Sequence, residues 1–316
     1  MLAYLLRRLL LLAPAVIGAV TLVFIVIRLA PGTPIDIMLG DFRDVTPPET
    51  VEAIKREYGL DRPVVIQYAR YLQKVLQGDL GFSLLNDRPV TSVILPHIRP
   101  TLMLAAGGLA IAVLLGVPAG VAAALRRNTS FDYGIMTLAV IWLSAPSFWF
   151  SILLIYLLAY KVPVLPMFGG GPPGDLPAEL YYLILPSVAI GARSAALLAR
   201  MSRSATLEVL GQDYIRTARA KGLAQRLVVY KHALRNAAMP ILTVIGLDLA
   251  YLVGGTVIIE TVFARPGLGK TLIDAIFNRD YPVVQGCIMF FAAGVILVNF
   301  LTDLAYAAID PRVKLD

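Results

Sequence analysis

The chain has 316 residues, of which 58% are apolar and 16% charged, and its formal net charge is +7. Soluble domains average about 45–50% apolar and about 25% charged residues, so this composition, with a mean hydropathy of +0.75, calls for a bilayer as solvent. The cations cluster between long apolar runs instead of covering a polar surface, which argues against nucleic acid as a partner.

Arg7 and Arg8 precede an apolar run from Leu9 to Ile27. A secretory leader has an apolar core of only about 7–15 residues, so this run is expected to be a retained first span. Residues 30–100 come next. Thr46-Pro47-Pro48-Glu49 has capping-box spacing, Pro63 fits a second helix start, and Gly59 and Gly78 fit helix stops. Further apolar stretches cover 102–125, 133–159, 181–199, 237–260 and 283–305. In lipid each must satisfy its own backbone hydrogen bonds, so all are read as helices.

The expected fold is therefore an all-α membrane protein with six transmembrane helices. Lys and Arg concentrate at four places: Arg7-Arg8, Arg126-Arg127, the stretch Arg200 to Arg235, and Arg312 with Lys314. Six crossings with both termini cytoplasmic put all four on the inner side. The expected division is a first span over 1–30, an extracytoplasmic segment over 31–100, and a transmembrane core over 101–316 carrying an inner segment at 200–236.

Several motifs bear on chemistry. Gly267-Leu268-Gly269-Lys270-Thr271 resembles the end of a phosphate-binding loop, but the position five before Gly269 is Ala264, and the segment falls on the outer side. A turn between helices is expected instead. Gly116 and Gly120 have the four-residue spacing of close helix packing. Cys287 stands alone in an apolar stretch, and His97 and His232 lack ligand spacing, so no metal site and no catalytic set is expected. Asp248 falls mid-span, where a carboxylate must face the bundle or water. It either lines a translocation path, with Tyr251, or fixes packing through an internal hydrogen bond. Arg193 and Asp303 are weaker instances. Ser144-Ala145-Pro146-Ser147 interrupts the third stretch, either opening backbone to a path or kinking the helix for packing.

The inner segment contains Gln212-Asp213-Tyr214-Ile215-Arg216-Thr217-Ala218-Arg219-Ala220-Lys221-Gly222-Leu223. Its small residues Ala218, Ala220 and Gly222 offer a surface that fits a partner's groove; by charge alone it could equally lie on anionic lipid. The wording of this stretch, with His232-Ala233-Leu234-Arg235-Asn236 and Met239-Pro240, resembles the inner-membrane permease subunits of ABC-type dipeptide and oligopeptide importers. Tyr58-Gly59-Leu60-Asp61-Arg62-Pro63, Gly78-Asp79-Leu80-Gly81, Glu260-Thr261-Val262-Phe263, Pro266-Gly267-Leu268-Gly269, Arg279-Asp280-Tyr281-Pro282 and Asp310-Pro311-Arg312 extend the resemblance along the chain.

The resemblance implies a MetI-like, type I ABC importer fold in the cytoplasmic membrane. It implies that Asp213 to Leu223 form a coupling helix docked on a separate ATPase, with Thr217, Ala218 and Gly222 at its core. It implies a second homologous permease, two cytoplasmic ATPase subunits and an extracytoplasmic solute-binding protein as partners. ATP and Mg would be bound by the ATPases, and no cofactor by this chain, which would not be an enzyme. Peptides are the expected solute; nickel and glutathione importers use similar chains. An ion-coupled transporter fits less well, because no span carries a chain of carboxylates.

Overall fold

The computed structural model describes residues 14, 16–25, 46–57 and 61–309. Among these the helices, in chain order, are α1 (Val16–Ile25), α2 (Pro48–Glu57), α3 (Val64–Leu76), α4 (Val90–Leu125), α5 (Ser130–Ser144), α6 (Ser147–Lys161), α7 (Leu176–Leu210), α8 (Asp213–Ala220), α9 (Gln225–Val262), α10 (Leu268–Phe277) and α11 (Tyr281–Ile309). Four of them, α4, α7, α9 and α11, are long and apolar enough to cross a membrane, and α5 with α6 makes a fifth if that bent pair is one span. Of the first expected span, residues 14 and 16–25 are described, and the rest lies outside the described residues.

The third apolar stretch is not the single helix over 133–159 that its hydropathy predicts. It bends by 106° between α5 and α6. Ala145 and Pro146 are extended there, with ψ of 129° and 133°. The proline sterically disfavours helical backbone at Ala145, and α6 then starts afresh with Pro146 as its cap. Four helices are also longer than their apolar cores: α4 starts at Val90, α7 runs from 176 to 210, α9 starts at Gln225, and α11 runs from 281 to 309. Hydropathy detects only the part of a helix that must face lipid.

The chain divides into two compact units. The first comprises Pro100–Pro266 with the chain from Leu297 onward. Its core joins Leu104 of α4, Phe150 and Leu154 of α6, Leu185 and Ile190 of α7, and Leu252 and Ile259 of α9. Inside it α4 packs on α7 through residues with little or no side chain. Cβ atoms at Gly116 and Gly120 would meet the backbone of Ala195 and Ala199, and Gly191 lies against the Gly108 carbonyl. The four-residue spacing read in the sequence is thus a close helix contact. A π-helical turn at Ala112–Gly116 precedes Pro118, which has no amide to donate; the wider turn accommodates it.

The second unit comprises Leu2–Arg99 with Gly267–Ile296. Helix α3 begins after Pro63 and ends as the sequence predicts. Gly78 takes φ +79°, with its amide on the Val75 carbonyl and that of Asp79 on the Lys74 carbonyl. Phe24 of α1 packs on Tyr68 and Tyr71 of α3. A buried core joins Val90, Ile94, Leu268, Ala275, Val283 and Cys287, so the single thiol is a packing residue. Buried Asp280 accepts from the Ser83 hydroxyl at 2.5 Å and the Leu84 amide at 3.2 Å, fastening the 82–89 turn to the start of α11. The expected turn at Gly267–Thr271 is instead the start of α10. The Thr271 amide and hydroxyl both bond back to the Gly267 carbonyl, at 3.0 and 2.9 Å, as a helix start does.

Candidate functional site

Helix α8 is short, exposed and braced from behind. Asp213 sits in its first turn, where an anion complements the helix dipole. Ile215 and Ala218 share its inner face and pack on Val228 and Ala233 of α9. The Asn236 amide donates to the Tyr214 hydroxyl at 3.0 Å and to the His232 carbonyl at 2.8 Å, tying α8 sideways to α9. At the far end Gly222 adopts φ +76°. Its amide bonds the Arg219 carbonyl at 2.9 Å, and that of Leu223 bonds the Ala218 carbonyl at 3.3 Å. This closing turn needs a left-handed residue, and glycine supplies it without a Cβ penalty.

The outward face carries Asp213, Tyr214, Arg216, Thr217, Arg219, Ala220, Lys221, Gly222 and Leu223, all exposed. Ala218 departs from the expectation. It is 7% exposed and serves as an anchor, because it lies one turn after Ile215 on the apolar side of an amphipathic helix. Large apolar residues just beyond α8, Leu227 and Tyr230, are exposed as well, and the reading by cations passed over them. Their signal was available: bulky apolar side chains in an otherwise basic segment. The exposed Arg216–Asp213 pair, 3.5 Å apart, contributes little to stability.

Helix α8 follows α7 after two residues, and α7 is gripped just upstream. Arg203 donates to Asp132 of α5 through Nε at 2.6 Å and Nη2 at 2.7 Å. Asp132 is buried and also accepts from the Asn128 amide, while the Thr129 side chain caps α5. Sequence reading used Arg203 only among the inner cations and overlooked Asp132. Thr129-Ser130-Phe131-Asp132 carries the capping spacing that could have flagged it. Arg203→Met should destabilise the protein by about 3–5 kcal/mol, because it strands a buried carboxylate. Asp132→Asn in the same chain should recover most of that loss. Thermal unfolding of the single and double variants checks both.

The other expected residues lie apart from α8. Ser144 and Ser147 flank the α5–α6 break, beside an apolar groove lined by Val140, Ile141, Phe148 and Trp149. Ser144 is exposed and Ser147 half-buried. Asp248 is buried in α9, with Ser194 and Arg193 of α7 as its polar neighbours. Tyr251, one turn on, is half exposed, and the Arg193 guanidinium of α7 lies 4.2 Å from its ring centre. The side chain of Asp303 lies outside the described residues.

The end of α9 and its following loop explain the Glu260-Thr261-Val262-Phe263 and Pro266 motifs. Glu260 is fully buried and accepts from the Thr101 hydroxyl at 2.6 Å. The Phe263 carbonyl accepts from the Gly169 amide at 2.9 Å, and Gly170 abuts the Pro266 ring. Arg265 is 2% exposed. Burial pushes its guanidinium below the ordinary arginine range, and the carboxylates of Glu260 and Glu179 pull it back up. These residues lock the loop and hold it close to α7.

No group of three or more metal-ligating side chains occurs among the described residues. Residues 113–315 match the family described as binding-protein-dependent transport system inner membrane component, and residues 1–105 match its N-terminal membrane component. The chain belongs to this family. It is thus a multi-pass membrane permease component of a binding-protein-dependent system. The chain is 42% identical to the di/tripeptide transport system permease protein DppB of Pseudomonas aeruginosa, over 99% of both chains. It is 39% identical to the dipeptide transport system permease protein DppB of Escherichia coli K12, again over 99% of each. It is 40% identical to the glutathione transport system permease protein GsiC of Salmonella paratyphi A, at the same coverage. Among solved structures, a chain of the inward-facing MetNI methionine ABC transporter superposes with a TM-score of 0.57. It covers 69% of this chain and 96% of its own length at 22% identity. The MetI-like permease fold expected from the motifs is therefore present.

Proposed function

We propose that this chain is the non-catalytic permease subunit of an ATP-driven importer of di- and oligopeptides in the cytoplasmic membrane. The end-to-end likeness to two peptide permeases carries the solute class. With a homologous permease it forms the translocation path. Two ATPase subunits attach on the cytoplasmic side, one of them docked on α8 and its flanks, and an extracytoplasmic binding protein delivers the solute. The support for docking is the geometry of α8: an exposed face on a helix held from behind by Ile215, Ala218 and Tyr214. Such a helix can pass on a push without deforming. ATP binding would draw the ATPases together, move α8 and α7, and swing the bundle between inward and outward openings.

Glutathione is a second reading, favoured by the 40% identity to a glutathione permease. The deciding experiment is reconstitution of the complete complex in proteoliposomes with its binding protein. ATP-dependent uptake of labelled dipeptides or tripeptides is expected. A thermal-shift screen of the binding protein against peptides, glutathione and nickel separates the solutes. A shift with nickel alone, and no peptide uptake, would overturn the peptide reading.

A further inference from the structure

One face of α9 is left uncovered among the described residues. Thr243, Leu247, Tyr251, Gly254 and Ile258 are exposed at spacings of four, four, three and four, which traces a single helical stripe. Beside the centre of that stripe, near the middle of α7 (Leu176–Leu210), stands an arginine, Arg193. Its guanidinium stacks on the Tyr251 ring and makes no ion pair within 4 Å among the described residues. Arg193 is only part-buried. Asp248 lies one turn before Tyr251, senses the Arg193 charge, and is itself sealed from the stripe by burial.

This arrangement restricts what can cover the stripe. A guanidinium at mid-membrane depth costs roughly 2.5–3.5 kcal/mol against hydrocarbon, and from mid-span it is far from both interfaces. Lipid is therefore a poor neighbour for the Arg193 head. A water-filled path is a good one, and transporter substrate sites fall near the midplane. A guanidinium seated over an aromatic ring can still offer N–H donors for the planar, bidentate bonding that carboxylates offer.

We propose that Arg193, oriented by Tyr251, is a subsite in the translocation path that receives the carboxylate of the passing peptide. The inference rests on the peptide-importer reading and adds to it a recognition element inside the permease itself. The ligand chemistry is a carboxylate on a flexible, otherwise polar solute. Asp248 stands behind it as a buried acidic neighbour that limits how tightly the anion is held, which suits passage better than retention.

The test uses the whole reconstituted complex with saturating binding protein. Uptake is measured for a tripeptide with a free C-terminal carboxylate and for its C-terminal amide. The same binding protein serves every permease variant, so its own preference cancels when variants are compared. In the wild type the acid-to-amide uptake ratio is expected to exceed that of Arg193→Gln by about tenfold, the scale of one charge-assisted contact. Arg193→Lys should keep part of the preference. If the glutamine variant does not accumulate, Arg193→Met, which enters a bilayer more easily than arginine, gives the same comparison. A fall of both substrates by one common factor would assign Arg193 to packing or to the sister permease and overturn the proposal. An unchanged ratio would overturn it too. Absence of any peptide uptake by the wild type would instead defeat the importer reading.

Discussion

Gly222→Arg should abolish ATP-coupled uptake while leaving the chain folded and inserted. At φ +76° any L side chain is strained, at about 1–2 kcal/mol, a loss the bundle can absorb. A Cβ there meets nothing within 4 Å, so the new side chain projects outward without disturbing the core behind α8. It would stand a long charged group on the surface proposed to seat in the ATPase. Gly222→Asn is the control, because asparagine tolerates left-handed backbone and stays short. The asparagine variant should retain most uptake. The arginine variant should lose roughly a hundredfold or more, the effect of spoiling an interface centre. Binding-protein-stimulated ATPase activity and co-purification of the ATPase should fall with it. Full uptake by Gly222→Arg would remove α8 as the docking element.

What the sequence disclosed, and what it hid, follows from the range of the forces involved. Pro63, Gly78, Pro146 and Gly222 marked their boundaries well, because backbone restriction is a local property. The apolar runs located their helices because lipid demands it residue by residue. The inward turn of Ala218 was missed, since its small size suited a surface knob and an anchor equally. Only the placement of Val228 and Ala233 decides between them. The Asp132–Arg203 pair joins residues 71 apart, and nothing local announces it apart from the capping pattern at Thr129. Arg193 looked weaker than Asp248 by sequence, since snorkelling or a helix–helix pair accounts for an arginine nearly as well. The register of α7 on α9 reverses that order. It buries Asp248 and leaves the arginine at the open stripe.

The largest effect on folding is expected at Gly120. A Cβ there would lie 2.8 Å from the Ser202 Cβ and 3.0 Å from the Ala199 carbonyl carbon, with the Ala199 oxygen closer still. Backbone cannot step aside, so α4 and α7 would have to part. In lipid, helix association rests on such packing, with no water to drive the surfaces back together. Gly120→Ala should cost about 1–3 kcal/mol, the usual range for overpacking, and Gly120→Leu should prevent a stable bundle. Gly254→Ala is the matched control. It has open space around its Cβ, and alanine is about 1 kcal/mol the better helix former. Thermal unfolding of the purified complex should therefore fall by several degrees for Gly120→Ala and hold or rise for Gly254→Ala. Equal stability of the two would refute the tight contact. The position matters for transport as well as for folding. Gly120 meets α7 at Ala199 and Ser202, and Asp132 meets it at Arg203, the next residue along. Two helices thus grip α7 at one level, about two turns before Gly211 and the start of α8. Under the proposed docking, a displacement of α8 would move α7 together with the parts of α4 and α5 that grip it. A variant that loosens either grip should therefore weaken the coupling of ATP hydrolysis to uptake at temperatures where the protein is still folded.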